Sequence, residues 1–493
     1  MIAMTRIADY RVLGPFSAGA MAELQELVSP DGRRWLLKRP KLEFGSHPAC
    51  YAGFETEQMV LGRIAGPHVP LCPAQGEDDQ GPWLVIEHIA GESLEGLAAA
   101  APLPSAEVAR LGILLADALH ALHRQNVVHQ DLTPAHVILR PEGQAALIDF
   151  GLACHGDLPD LAAAESNGPL GTPAVIAPEQ VLGLRGDPRS DLYAAGAILY
   201  RLATGRYPFG TAASTWGLHR RRWFDPPPPR AINPQMPEWL QEIILRCLAV
   251  RPERRYASAA QLAADLAHPE QIVIGERGQQ RRRAGLWLAL QRWWAERRLD
   301  PAQPVRPQHQ LARAPQVLVA IDTDARDEAL AEALRLALRR LIASDPHGRV
   351  TCVGVLEPSL VTEQEESGEL SRAFHTARLV ALHHWARPLD LPQERIRFHV
   401  LTGGDAAACI VDHARLSHAD HILMGARGSS TLRRFLGSVS SRVVAEAPCS
   451  VTVVRAPPGP RHRKPRSSAR RRSRLVGGVG PSAPPTGPPA PAG

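Results

Sequence analysis

Residues 129–151 read HQDLTPAHVILRPEGQAALIDFG, and the fold of the first half of the chain turns on them. Two acids mark the stretch: Asp131, after His129 and Gln130, and Asp149, before Phe150 and Gly151. Upstream, Lys38 closes the strand-like run WLLK. Nineteen residues later Glu57 falls in a segment of helical spacing, GFETEQMVLGRI (53–64). Downstream comes Ala177-Pro178-Glu179. A lone Lys or Glu is ordinarily a solvated surface charge. The common order and spacing of all these groups is not what scattered surface charges produce.

Moving a γ-phosphoryl group requires a cover over the phosphates, a cation on them, a base near the acceptor hydroxyl, and carboxylates for Mg²⁺. The chain supplies candidates for all four. Leu13-Gly14-Pro15-Phe16-Ser17-Ala18-Gly19-Ala20-Met21 can form a strand, a tight turn and a strand whose amides approach phosphates, although Phe16 occupies the place of a middle glycine. Alone, that run is no more than a turn. Residues 10–13, 35–38 and 83–87 read as strands, and from Ser105 onward Ala/Leu-rich helical patterns take over, notably 105–124 and 191–204. A small sheet followed by helices is the expected order.

On these motifs, residues 6–268 resemble the eukaryotic-like Ser/Thr protein kinases of bacteria, which implies an α+β bilobal protein-kinase fold. The resemblance implies that ATP is bound, with Mg²⁺, and that a protein Ser or Thr hydroxyl is the acceptor. It implies that Lys38 holds the α/β-phosphates, that Glu57 orients Lys38, that Asp131 accepts or orients the hydroxyl proton, and that Asp149 binds Mg²⁺. Leu13, Gly14, Gly19 and Met21 would cover the nucleotide. Glu87 and Ile89 belong to the hinge IEHI (86–89), whose backbone would meet adenine. Gly171-Thr172-Pro173 resembles the substrate-positioning segment, Arg255 is placed to pair with Glu179, and Asp191 resembles the helix residue that braces the catalytic loop.

Two departures bear on activity. Where the family has Lys two residues after the catalytic Asp and Asn five after it, this chain has Thr133 and His136. Thr133 removes a cation near the transferring group. His136, the partner of Asp149 in holding metal, offers an imidazole to an oxygen-seeking ion, which favours Mn²⁺ over Mg²⁺. Gln130 replaces the Arg that receives a phosphorylated loop residue in many kinases, so loop phosphorylation is not the expected control of residues 152–170. The competing reading is a pseudokinase, a nucleotide-binding signalling scaffold. Retention of Lys38, Glu57, Asp131 and Asp149 favours the enzyme.

Composition changes near residue 269. An Arg-rich segment (281–298, RRRAGLWLALQRWWAERR) and a Pro-containing stretch (301–315) make 269–315 an expected linker. Trp287, Leu290 and Trp294 fall at helical spacing between arginines. An interdomain helix packing its tryptophans on the first domain is the commoner arrangement, and peripheral contact with an anionic membrane is the rarer one.

From QVLVAID (316–322) onward, apolar strand-like runs alternate with helices, the pattern of a parallel α/β sheet. Residues 316–455 resemble the universal stress protein family, which implies an α/β doubly wound domain. Its ATP-binding members carry an Asp after the first strand and a Gly-rich phosphate loop before a helix. Asp322, Gly425, Gly428, Gly437 and Ser438 match those places, with one residue fewer between Gly428 and Gly437 than such members usually have. The glycines also suit a plain strand-to-helix turn. The resemblance implies a homodimer formed through the final strand SVTVV (450–454).

Hydrophobic residues at 44% and charged residues at 22% are ordinary for globular chains, so neither a fibrous nor a generally disordered protein is expected. The net charge of +6 is local: eight Lys or Arg and no acid lie in the Pro-rich stretch 456–493, read as a disordered tail, leaving the rest at −2. No specific nucleic-acid partner follows from charge placed there. Seven scattered cysteines, the lack of a signal-like N-terminus and the lack of about eighteen uninterrupted apolar residues point to a cytoplasmic protein with no transmembrane segment.

Overall fold

The computed structural model describes residues 6–456 except 8, 19–21, 42–47, 166–167, 212–214, 284, 286, 288–290, 293, 295–313, 324–326, 344, 346, 357–367 and 427–436. Strands β1 (Arg6–Ile7), β2 (Tyr10–Ala18), β3 (Ala22–Val28), β4 (Arg34–Pro40), β5 (Ala74–Asp78) and β6 (Gly81–Glu87) make one antiparallel sheet in the order β1-β2-β3-β4-β6-β5. Alternation along β3, β4 and β6 puts Leu27, Trp35, Leu37 and Val85 on one buried face. Helix α1 (Pro48–Leu61) sends Phe54, Val60 and Leu61 into the core it shares with Leu84 of β6.

That core continues into a helical lobe. Helix α2 (Ser105–Arg124) buries Val108, Leu111, Leu115, Leu119 and Leu122, three or four residues apart. The antiparallel hairpin β7 (Val137–Leu139) and β8 (Ala145–Leu147) falls in the chain between Asp131 and Asp149. Helix α3 (Pro188–Thr204) starts where the Asp187 side chain accepts from Arg189 N and Pro188 opens the first turn. It ends at Gly205 in the left-handed conformation, φ +73. A Cβ on Gly196 would sit 2.5 Å from Cys247 Cβ, so α3 and α4 (Glu238–Cys247) cross at a distance that glycine permits. Helix α5 (Ala259–Ala267) covers the side of α2.

In the last domain, β9 (Gln316–Ala320), β10 (Arg349–Leu356), β11 (Ile396–Thr402), β12 (His421–Gly425) and β13 (Ser450–Val454) are all parallel, in the order β11-β10-β9-β12-β13. Helices α6 (Glu328–Ile342) and α7 (Gly368–Ala386) supply Leu334, Leu338, Ile342, Leu382 and Trp385 to one face. Helices α8 (Ala406–Leu416) and α9 (Ser438–Glu446) supply Ile410, Val411, Ala414 and Val443 to the other. Helices on both faces are what continuous apolar strands such as VLVA require. The strand order reverses between β9 and β12, the crevice where such sheets bind ligands.

Residues 269–280 fold back onto α4: the Gln241 amide donates to the carbonyls of Arg277, Gly278 and Gln280, and Glu242 accepts from the amides of Gly275 and Gly278. Trp287 is 70% exposed and Trp294 56%. Arginines hold this segment. Arg292 pairs with both oxygens of Asp225 at 2.9 and 3.0 Å, and Arg283 donates to the Asp225 carbonyl and lies over the Phe224 ring. Leu290 and the tail lie outside the described residues. Among the described residues, no helix is long and apolar enough to cross a membrane.

The two domains meet directly. Asp117 of α2 accepts from His418 at 2.8 Å, Gln261 of α5 donates to the His347 carbonyl at 2.9 Å, and Asp265 of α5 binds Arg349 of β10 at 2.6 Å.

Candidate active site

Strand β4 carries Lys38 to the edge of the cleft, and α1 presents Glu57 to it. The ammonium lies 2.6 Å from Glu57 Oε2 and 3.2 Å from Asp149 Oδ1. Burial would lower the Lys38 pKa, but the two carboxylates outweigh it and raise it, keeping the ammonium charged. Burial works to raise Asp149, yet Lys38 and His136 hold it below the usual carboxylate range. Asp149 sits in the left-handed region at φ +67, a conformation unfavourable for a non-glycine residue and typical of functional loops.

The catalytic-loop candidates are fixed from below. Buried Asp191, on α3, accepts from His129 N at 2.8 Å, Gln130 N at 2.9 Å and His123 Nε2 at 2.9 Å. This network holds Gln130 at φ +67 and sets the direction of the next residue, Asp131. Asp131 Oδ1 accepts from Thr172 N at 2.7 Å, which ties the acid to the segment expected to position substrate. Thr133, half-buried, opens the short turn Pro134–His136.

His136 Nδ1 lies 2.7 Å from the Asp131 carbonyl. A carbonyl only accepts, so Nδ1 carries a proton, and Nε2 is the ring nitrogen left to meet a cation. Nε2 stands 3.6 Å from Asp149 Oδ2. A carboxylate oxygen and a lone-pair nitrogen converging at this distance are a donor set that fits a divalent cation. Among the described residues, no group of three or more His, Cys, Asp or Glu gathers to hold a metal by itself, so further ligands have to come from phosphate or water.

The cover over the cleft is described in part. Gly14 has φ +153, and the pairing of β2 with β3 shifts register between Val12 and Gly14 and again between Pro15 and Ser17, bending the strand. Leu13 is exposed, while Gly19 and Met21 lie outside the described residues. Phe16 does not leave a gap: its ring meets His88 of the hinge edge-on, centroids 5.2 Å apart. The Glu87 carboxylate binds Arg140 and the Leu71 amide, so what Glu87 offers a ligand is backbone; Ile89 is half-buried.

Several supports were not legible in the motifs. Gln180 donates to the Gln130 carbonyl at 2.7 Å. Arg185 binds Asp160 at 2.8 Å and the Leu152 carbonyl at 2.8 Å, pinning the activation loop with no phosphate involved. Arg221, 1% exposed, donates to the carbonyls of Ile176 and Pro173, both at 2.7 Å. Arg255 grips Glu179 through two bonds of 2.6 and 2.8 Å. Ser166 lies outside the described residues.

In the second domain, Asp322, Thr323, Gly425, Gly437 and Ser438 line one cavity of about 520 Å³ at the end of the sheet. A Cβ on Gly425 would meet Leu330 at 2.9 Å, so this glycine also serves close packing of α6 on β12. Gly437 is the N-cap of α9. Gly428 lies outside the described residues.

Comparison with known proteins gives two family matches: a protein kinase domain over residues 18–267 and the universal stress protein family over 315–455. Serine/threonine-protein kinase Pkn1 of Myxococcus xanthus is 30% identical over 346 residues, covering 63% of this chain and 50% of that protein. The DNA damage-responsive serine/threonine-protein kinase RqkA of Deinococcus radiodurans is 36% identical over 214 residues, 43% of this chain and 32% of that protein. The chain thus spans half or less of the length of these relatives. Among solved structures, the Mycobacterium tuberculosis PknI kinase domain is similar at a TM-score of 0.43 and 24% identity, over 55% of this chain and 99% of that one.

Proposed function

Because the chain belongs to the protein kinase family, we propose that it transfers the γ-phosphoryl group of ATP to Ser and Thr hydroxyls of proteins. The observation that carries the proposal is the convergence of Lys38, Glu57 and Asp149 within 3.2 Å contacts beside an Asp131 fixed by Thr172. A scaffold needs no such base, and the relatives compared above are named Ser/Thr kinases.

In this reading the Lys38 ammonium neutralises the α/β-phosphates and is kept in place by Glu57. Asp131 orients the acceptor hydroxyl and takes its proton as the oxygen–phosphorus bond forms and the bond to the ADP oxygen breaks. Kinases use a divalent cation, and Asp149 with His136 would hold it here, where it supplies charge neutralisation on the phosphates. Thr133 brings no positive charge, so Lys38 and the metal site carry that duty. The Arg185–Asp160 pair supports a loop that is ordered without phosphorylation. Incubation with γ-labelled ATP and a generic protein substrate is expected to place label on Ser and Thr; label on Tyr alone, or on none, rejects the proposal.

For the second domain we propose nucleotide binding at the cavity lined by Asp322, Gly425, Gly437 and Ser438. Its position at the strand-order reversal and at the start of α9 supports this reading. The full chain should bind two ATP per chain, and Gly437→Val should lower that stoichiometry to one. An unchanged stoichiometry in the variant overturns the assignment. Strand β13 is a sheet edge, which supports a homodimer formed there, and sedimentation of the full chain should give twice the monomer mass. A monomer at micromolar concentration rejects it.

A further inference from the structure

The seam between the two domains gathers positive charge around one buried carboxylate. Asp265 of α5 is 2% exposed and meets three guanidiniums. Arg349 of β10 donates to both its oxygens, at 2.6 and 3.2 Å, Arg397 of β11 donates at 3.1 Å, and Arg246 of α4 stands 3.9 Å away. One carboxylate answers one guanidinium, leaving two charges at the cluster over. Burial works to raise the Asp265 pKa, but Arg349, Arg397 and Arg246 outweigh it and bring the carboxyl down to about 2. Asp265 is therefore fully ionised near neutral pH and has no further charge to give.

A cavity of about 470 Å³ opens onto this cluster, walled by both domains. Arg246, Arg254, Arg277, Arg349, Arg395 and Arg397 line it, beside Glu242, Glu253, Asp265 and Glu394. Six guanidiniums against four carboxylates again leave two positive charges. A seventh, Arg255, is matched by Glu179 behind the wall. Arg395 donates to the carbonyls of Gly348 and Asp345, which satisfy hydrogen bonds without cancelling charge. Unbalanced charge in a partly desolvated cavity is unfavourable unless an anion shares it. Planar guanidinium forks suit tetrahedral phosphate oxygens, and a cavity of this size takes a ligand larger than a single phosphate.

We propose that this cavity is a binding site for a small phosphate-bearing anion, which bridges the kinase lobe and the second domain. It is separate from the kinase cleft and from the cavity of Asp322 and Gly437. Its ligand contacts Arg246 and Arg254 from the first domain and Arg397 from the second, so occupancy fastens the seam.

Inorganic pyrophosphate titrated into the full chain in metal-free buffer tests the site by calorimetry, with potassium sulfate at matched ionic strength as the control for bulk anion effects. Saturable pyrophosphate binding is expected, unchanged in Lys38→Met and in Gly437→Val. It should weaken at least tenfold in Arg246→Gln/Arg254→Gln. Both of these arginines lie at the cavity wall, while Arg349 and Arg397, the closer partners of Asp265, are left in place, and an unchanged circular dichroism spectrum confirms that the double variant is folded. Absence of saturable binding, equal binding of sulfate, loss in Lys38→Met or Gly437→Val, or full binding in the double arginine variant each overturns the proposal.

Discussion

An imidazole whose Nδ1 proton is tied to the Asp131 carbonyl can offer a cation only its Nε2 lone pair, and His136 offers it 3.6 Å from an Asp149 oxygen. Nitrogen is a better partner for Mn²⁺ than for Mg²⁺, which prefers oxygen. His136→Asn restores an amide oxygen at that point. We expect it to raise the ratio of Mg²⁺-supported to Mn²⁺-supported transfer by roughly tenfold, in line with changes made around metal sites. An unchanged ratio would place His136 outside the metal's reach. At this scale the motif residues were legible because phosphoryl transfer demands particular side chains in a particular order. The supports were not: Gln180 and Gln130 lie 50 residues apart, and Arg221 and Ile176 lie 45 apart. Neither a Gln nor an Arg in a run such as RRR announces so distant a carbonyl.

Elements show a second pattern at the seam, where β11 and α8 bring His399 and His413 against His268. Ring centroids are 4.3 Å apart for His268–His399 and 4.9 Å for His399–His413. Burial, then His268, His413 and Arg397, lowers His399 to about 3; burial, then His268, lowers His413 to about 4. Glu270 stands 3.3 Å from His268 and faces the same cluster. Above these values both half-buried rings are neutral in the folded chain, whereas an unfolded histidine protonates near the usual 6.5. The unfolded chain thus binds more protons between about pH 6.5 and these lowered values, and stability falls as pH drops through that window. The thermal midpoint should fall between about pH 7 and about pH 5, and fall less in His399→Gln/His413→Gln. Parallel falls in the two proteins would contradict the assignment. Periodicity made α2 legible, since Val108, Leu111, Leu115, Leu119 and Leu122 are buried three or four residues apart, whereas α3 is buried on nearly all sides. Helical spacing gives the face of a residue but not whether another surface covers it, and at Trp287 and Trp294 it is the arginine Arg292 that reaches the first domain, through Asp225.

For the whole molecule, the sequence separated two domains through a change in composition and in the order of strands and helices, and the same cues said nothing of how the domains meet. Asp265 with Arg349 and Arg397 joins residues 84 and 132 positions apart, and an aspartate in an Ala/Leu helix reads as solvated. The outcome is a protein kinase domain whose helices α2 and α5 carry the universal stress protein domain. Phosphoryl transfer by the first domain has to proceed with Thr133 and His136 in place of the usual Lys and Asn. It is tested most directly by transfer of labelled γ-phosphate from ATP to a generic Ser/Thr substrate, with Mg²⁺ or Mn²⁺, beside Asp131→Ala and Asp149→Ala. Incorporation by the natural chain, reduced at least a hundredfold by each substitution, is the predicted result; ATP binding with no transfer under either metal would contradict it.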